Sequence, residues 1–270
     1  MSFWSDSFKK ELLKIKTEFN QELTDIKQDY VQKSDSNKDS WQIRKILFMA
    51  FFRFTPKNGS GAYVKELFDD YADNFETSLL DRLGYQSPLV ISQMLKEATK
   101  KTKFKLAVDL GCGTGLMGQS LKENFNIKKL IGADISENML KKAKEKKIYD
   151  ELLEENLLTF VANLKKTSAD LITITDALVY LGDLTELFKE ASRVLVKKGF
   201  FCFDFELLEK KNRRQDFCLR KSARYAYNSD YVTAKLKEFN LVPVIYKEET
   251  IRYEYGRPVL GGYFIASKGA

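Results

Sequence analysis

An apolar run that ends in an aspartate gives way to three glycines at alternate positions: Leu106–Ala107–Val108–Asp109–Leu110–Gly111–Cys112–Gly113–Thr114–Gly115. Nineteen residues past Gly115 a second apolar run, Ile131–Gly132–Ala133–Asp134, also ends in an acid. Glycines tolerate unusual dihedrals and let a ligand approach the backbone. A carboxylate offers only acceptors, which suits a pair of hydroxyls. The pattern is that of a strand, a glycine turn, a helix and a second strand tipped by a carboxylate, a slot of nucleotide size. Gly113, Gly115 and Gly118 could fill a G-x-G-x-x-G spacing, but the Asp-Leu-Gly-Cys-Gly-Thr-Gly run is not the usual dinucleotide form. No lysine–serine or lysine–threonine pair follows the glycines, which excludes a P-loop.

Absent residues narrow the chemistry further. The 270 residues contain no histidine, so an imidazole base and a Ser–His or Cys–His pair are ruled out. Three scattered cysteines (Cys112, Cys202, Cys218) without histidine argue against a zinc site, and no metal is expected. The same cysteines suit a reducing compartment. Met1–Asn20 mixes acids and lysines without an apolar core, and no apolar run is long enough to span a membrane. The expected location is therefore the cytoplasm. A net charge of +7 favours an anionic partner or simply a solvated lysine-rich surface.

The elements that must position these residues follow from periodicity. Phe8, Leu12, Ile15, Phe19, Leu23, Ile26 and Tyr30 recur at steps of three and four, which predicts an amphipathic helix over about 8–32. A second helix is predicted over Trp41–Phe54. The two form a helical extension over 1–57, suited to packing on the main domain, to a homodimer contact, or to docking a partner or membrane surface. The main domain is placed at 58–270. Helix is expected within Tyr63–Lys101, broken at Leu83–Pro88. Strands are predicted near Leu106–Leu110, Lys129–Ala133, Leu152–Glu155, Leu171–Thr175, Phe200–Phe205, Val242–Tyr246 and Tyr263–Ser267. Helices near Gly115–Asn124, Ser136–Lys147, Asn156–Leu164, Leu184–Val194 and Asp230–Phe239 alternate with them. The fold class is α/β, a doubly wound, seven-stranded, mostly parallel sheet. Its last two strands lack an intervening helix and form an antiparallel hairpin, with Ile251–Gly262 read as a short turn-rich link.

The run VDLGCGTG, with IGADIS at the right distance, resembles motif I and the next strand end of class I S-adenosylmethionine-dependent methyltransferases. The resemblance extends from about Phe68 to Ser267 and includes TDALVYLGDL. It is nearest to a branch with YADNFE-like, LGYQSP-like and RYAYNSDYV-like segments, some of whose members carry tetratricopeptide repeats. No such repeat occurs here. The resemblance implies S-adenosylmethionine as cofactor and S-adenosylhomocysteine as product. Asp109 would organise the glycine turn and meet the methionine part, over the backbone of Gly111, Cys112, Gly113 and Gly115. Asp134 would take the ribose hydroxyls, while Ile135 and Met139 line the adenine pocket. Asn156, with Leu157 beside it, stands where the class often has an acid for the adenine amine. Tyr71 in the entry segment completes the cofactor set, and Thr175 and Asp176 would face the sulfonium.

Methyl transfer is an in-line displacement in which alignment matters most, so the missing histidine is no obstacle. An ionised carboxylate acceptor needs no base. A phenol or amine would need Asp176, Glu206 or a tyrosine among Tyr180, Tyr225 and Tyr227, and Asp176, Tyr180 and Tyr227 are the first candidates. Thr175–Asp176–Ala177–Leu178 is not an Asn-Pro-Pro-aromatic motif, which argues against planar base or amide nitrogens. Lys210, Lys211, Arg213, Arg214, Arg220, Lys221 and Arg224 form a basic segment, read as a solvated loop or as a clamp for an anionic acceptor. Arg213, Arg214, Arg220 and Arg224 are its expected contacts. The acceptor is then a small anionic or aromatic molecule, or an acid on a protein or carrier protein of the malonyl type. A scaffold that binds cofactor and recruits an acidic protein partner is the non-catalytic alternative, and no nucleic-acid module is recognisable.

Overall fold

Strand β1 (Lys103–Leu110) lies between two parallel neighbours, β2 (Asn126–Asp134) and β4 (Ala169–Ile174), and is followed by the glycine turn. Ala107, Val108, Asp109 and Leu110 are all buried, as expected of a central parallel strand covered on both faces. The computed structural model describes residues 55–57, 59, 61–72, 75–76, 84–208, 215–220, 222–254 and 256–270. Both helices predicted over 8–54, the dimer contact assigned to them, and Arg213 and Arg214 lie outside the described residues, as does the Tyr71 side chain.

The sheet runs β3 (Glu151–Glu154), β2, β1, β4, β5 (Leu195–Leu207), all parallel. Strand β9 (Arg257–Lys268) then pairs antiparallel with β5, and β8 (Leu241–Glu254) pairs with β9 at the edge. Helices α1 (Gly61–Tyr71), α2 (Ser87–Ala98), α3 (Leu116–Asn124), α4 (Glu137–Glu145), α5 (Leu157–Asn163), α6 (Thr185–Val194) and α7 (Ser229–Glu238) connect or cover the strands. Two apolar cores fill the two faces, one centred on Phe188, Phe201 and Phe203, the other on Ile91, Leu121 and Ile265. The α/β class, the mostly parallel sheet and the antiparallel C-terminal strands are as the periodicity predicts.

Two features differ from expectation and both reshape the site. The basic segment is not wholly loop. β6 (Phe217–Leu219) and β7 (Tyr225–Tyr227) form a short antiparallel ribbon, and β7 pairs parallel with Glu206–Leu207 where β5 outruns β4. The C-terminal hairpin is also far longer than a link at 251–262 allows, reaching Glu254 on one arm and starting at Arg257 on the other. Ile251 and Val259 are buried there, and Gly256, at φ 70°, turns the chain in a region that favours glycine. That extra strand length carries Arg252 into the protein interior.

Candidate functional site

The glycine turn is locked from behind by a residue its sequence does not announce. The Tyr149 ring occupies a slot made by three glycines. A Cβ at Gly118 would stand 2.3 Å from the Tyr149 hydroxyl, and one at Gly132 or Gly115 would meet the ring at 2.8 or 3.0 Å. That hydroxyl donates to Asp109 Oδ2 at 2.6 Å, and Thr173 Oγ1 donates to Asp109 Oδ1 at 2.8 Å. Burial pushes Asp109 up to about 6, against the pull of both hydroxyls. Asp109 does not line the cleft, nor does Gly115. Its oxygens face Tyr149 and Thr173. Replacing Tyr149 with phenylalanine leaves Asp109 short of a donor and is expected to lose about 1–3 kcal/mol in urea unfolding. A loss within error would separate the tyrosine from the turn.

Asp134 ends β2 at the lip of the cleft. Its Oδ2 accepts from the Gly113 amide and its Oδ1 from the Ser136 amide, each at 2.9 Å. Burial raises its pKa while those amides act to lower it. The Ala133 carbonyl accepts from Gly111 and Cys112, tying the turn to β2. Ser136 caps α4 by accepting from the Met139 amide and donates to Asp69 of α1 at 2.7 Å. Lys65, one turn earlier on α1, donates to the Ile135 carbonyl at 3.1 Å and to Glu154 at 2.6 Å. These bonds pin α1 over the ends of β2 and β3.

The resulting cleft encloses about 1190 Å³, counting its open mouth. Gly111, Cys112, Gly113, Ile135, Met139 and Leu157 line it as expected, and so does Asn156. The Asn156 oxygen accepts from the Leu158 amide at 2.9 Å to cap α5, which uses one of its two lone pairs. Phe68 of α1 meets the rings of Phe75 and Tyr180 edge-on at 5.9 and 5.3 Å, forming an aromatic roof. Gly59 lies so close to the Tyr180 carbonyl that no Cβ would fit.

At the far end, Thr175, Asp176, Tyr85 and Tyr180 line the cleft. Asp176 adopts φ 50°, a strained conformation for a residue with a side chain, and its amide donates to Asp204 Oδ1 at 2.7 Å. Its carboxylate accepts from Arg252 Nη1 at 2.7 Å. Arg252 is wholly buried and also donates to Glu206 and Glu254. Burial alone would lower its pKa, and the three carboxylates reverse that. Arg220 donates to Glu206 Oε2 at 2.6 Å, and Arg224 donates to Glu254 and to the Tyr180 hydroxyl.

This network gives several of the expected site residues partners within the chain. Arg220 and Arg224 are paired with acids that the chain itself supplies. Glu206 receives an arginine on each oxygen and is no base. The Tyr227 hydroxyl donates to the Leu178 and Leu181 carbonyls at 2.7 and 2.5 Å, outside the cleft lining, and burial raises its pKa well above the usual range. It is a structural pin. Tyr225 donates to the Pro56 carbonyl at 3.1 Å and is pushed up to about 12 by burial. Asp176 and Tyr180 stay at the site, both raised chiefly by burial. Sequence reasoning missed Tyr149, Arg252, Tyr85 and Asp204. The glycines at 118 and 132 were the available signal for Tyr149.

The residues present fit a nucleoside cofactor. The Thr114 hydroxyl lies in the cleft lining, buried and without a hydrogen-bond partner among the described residues, and a Cβ at Gly111 would stand 2.7 Å from the Ala177 side chain. Residues 108–203 match the methyltransferase domain family. A human protein, the mitochondrial arginine-hydroxylase NDUFAF5, is 35% identical over 100 residues, 36% of this chain and 28% of that protein. The chain therefore spans little more than a quarter of that relative's length. Among solved structures, a chain of the Haloferax volcanii complex between the Trm112 methyltransferase activator and a methyltransferase superposes with a TM-score of 0.60 at 14% identity, covering 75% of this chain and 98% of that one. An S-adenosylmethionine-dependent methyltransferase from Clostridium acetobutylicum gives 0.54 at 18% identity, covering 75% and 99%. These structures share the fold. Among the described residues no helix is long and apolar enough to cross a membrane.

Proposed function

We propose that this chain, which carries a class I S-adenosylmethionine-dependent methyltransferase domain, methylates a small acceptor with an aromatic or apolar body. The reading rests on the acceptor end of the cleft. Tyr85 and Tyr180 present ring surface there, with Phe68 edge-on to Tyr180, while the two described arginines of the basic segment are paired with Glu206 and Glu254. An anionic acceptor would meet carboxylates already in place.

Bound S-adenosylmethionine supplies an electrophilic methyl group on a sulfonium. The chain's residues supply alignment and exclusion of water. Asp109, held by Tyr149 and Thr173, fixes the glycine turn under the cofactor site. Asp134 offers its remaining acceptor capacity to the ribose hydroxyls. Ile135, Met139 and Leu157 provide an apolar slot for the base. Asp176, clamped by Arg252 and by the Asp204 contact at its amide, stands where the acceptor must approach. The roof of α1 keeps water from the line of attack.

The carrier-bound acid and the non-catalytic scaffold depend on Arg213, Arg214 and the N-terminal extension, and they take second place. Calorimetric titration with S-adenosylmethionine tests the premise, with micromolar binding expected and none at millimolar cofactor overturning it. An acceptor screen follows, with detection of S-adenosylhomocysteine. Turnover of small phenols or other aromatic hydroxyls supports the reading, and turnover of carrier-bound acids alone would replace it. Consumption of the cofactor-bound protein's substrate without S-adenosylhomocysteine would point instead to a different reaction, such as the hydroxylation in the human relative's name.

A further inference from the structure

The cleft opens where the parallel strands end, and the surface where they begin has a different chemistry. Lys165 and Lys166 lead into β4, and Lys197 and Lys198 stand in a bend at the start of β5, with Lys198 at φ 60°. All four are exposed. The backbone brings the two pairs together. The Thr167 and Ser168 amides donate to the Arg193 and Val194 carbonyls at 3.0 and 2.8 Å, and a Cβ at Gly199 would stand 3.2 Å from the carbonyl oxygens of Ala169 and Asp170. Ser267 of β9 pairs with Phe200, which sets Lys268 at the same end of the sheet. Burial, and then the Lys166 ammonium, hold Lys268 below the usual lysine range.

These charges have no task inside the chain. None of the four exposed lysines has an ion pair among the described residues, and the acids nearby are taken. Asp170 binds Lys101 at 2.6 Å and accepts from the Lys105 and Leu106 amides, Glu190 binds Arg193 at 2.5 Å, and Glu238 binds Lys235 at 2.9 Å. Lysines often offset the carbonyl end of a helix. At the end of α5 Arg193 already does so, donating to the Leu164, Ala162 and Val161 carbonyls at 2.8, 2.9 and 3.0 Å. Beside Lys268 the edge strand β8 begins, and its Val242 and Val244 are 52% and 45% exposed. Among the described residues β8 pairs only with β9, and Pro243 between the valines has no N–H to offer a further strand.

We propose that this end of the sheet seats the protein on an anionic lipid bilayer, with Lys165, Lys166, Lys197, Lys198 and Lys268 over the headgroups and Val242 and Val244 in the interface. RNA is held by arginine forks and stacked rings, whereas this surface offers lysine and valine. A bilayer takes both: ammonium groups meet the lipid phosphates, and apolar side chains enter the boundary below them. The seat is independent of the methyl-transfer reading. It leaves the cleft facing water, because Asp134 and Thr175 stand at the opposite strand ends, one β4 length or about 20 Å away.

Flotation of the full chain with lipid vesicles tests the seat. The chain is expected to float at low salt with phosphatidylcholine vesicles containing about a third phosphatidylglycerol, to stay behind with phosphatidylcholine alone, and to be released as salt screens the charges. Lys198→Gln is expected to lower the partition roughly fivefold, and Lys165→Gln, Lys166→Gln, Lys197→Gln and Lys198→Gln together about 100-fold or more. Val242→Ser with Val244→Ser weakens it as well. Lys141→Gln, which removes an equal charge from α4, is expected to leave it unchanged. Circular dichroism verifies that each variant is folded. The proposal is overturned if the chain does not float with the anionic vesicles, or if the four-lysine variant floats like wild type. It is also overturned if Lys141→Gln costs as much as Lys198→Gln, since binding would then follow net charge alone. Polyuridylate or polyglutamate bound in preference to vesicles, and lost in the four-lysine variant, would replace the lipid with a nucleic acid or an acidic protein.

Discussion

Arg252→Leu is expected to lower the stability of the fold by about 3–5 kcal/mol, the range for removing one partner of a buried ion pair. The reason is geometric. The guanidinium reaches Asp176, Glu206 and Glu254 at once from a fully buried position, so its loss leaves carboxylates without their compensating charge. Arg220 and Arg224 pair with Glu206 and Glu254, and Arg252 is the arginine that donates a hydrogen bond to Asp176. Arg252→Lys keeps the charge but not the planar fork, and should fall between wild type and leucine. Urea unfolding monitored by circular dichroism checks this. A leucine variant within about 1 kcal/mol of wild type would mean that the carboxylates are neutral when the arginine is present.

The pH dependence of stability follows from buried acids, some in or beside this cluster and one behind the glycine turn. Asp204 and Asp109 hold protons in the folded state at pH values where an unfolded aspartate, near 3.9, has lost them. The native state therefore binds more protons between about 4 and 7, and the contribution of these two groups to stability is greatest in acid and falls as pH rises through about 6 and 7. Glu254 acts in the opposite sense. Burial would raise it, but Arg224 and Arg252 hold it low, so its contribution is lost as the solution becomes strongly acidic.

Asp134→Ala is expected to weaken S-adenosylmethionine binding by roughly 100-fold or more, the equivalent of two charge-assisted hydrogen bonds. Two losses combine. The ribose would have no carboxylate, and the Gly113 and Ser136 amides would lose the acceptor that sets the turn and the start of α4. Asp134→Asn retains one oxygen acceptor and should lie between the two. Calorimetry checks the affinities, and an alanine variant that binds within threefold of wild type would remove Asp134 from the cofactor site.

The elements that could be read from sequence were those whose own residues carry the signal. The β1 run, the glycines and the acid at the end of β2 lie within thirty residues, and a parallel sheet with intervening helices follows from hydrophobic period alone. Local period also fixed the helices from α3 to α7 to within a few residues. What escaped is what depends on distant chain segments. Tyr149 reaches Asp109 across forty residues, and Arg252 reaches Asp176 across seventy-six. Nothing local marks either as functional. Ile251–Arg252–Tyr253 lies in the stretch read as turn-rich, but cross-strand partners on β9 hold it extended. The basic segment misled for a related reason: composition counts arginines, while folding decides which acids stand opposite them.

The threading of residues 55–59 bears on how the domain can be cut. Thr55 Oγ1 accepts from the Leu219 amide, the Pro56 carbonyl from Tyr225, and the Lys57 carbonyl from Asp183, before Gly59 packs against Tyr180. A nick at 57/58 would separate three bonded residues from the roof that follows them. Limited proteolysis or truncation that aims to isolate the cofactor domain therefore has to leave Thr55 attached. Thr55, Pro56 and Gly59 thus bond or pack against β6, β7 and Tyr180, which joins this segment to the mouth of the cleft.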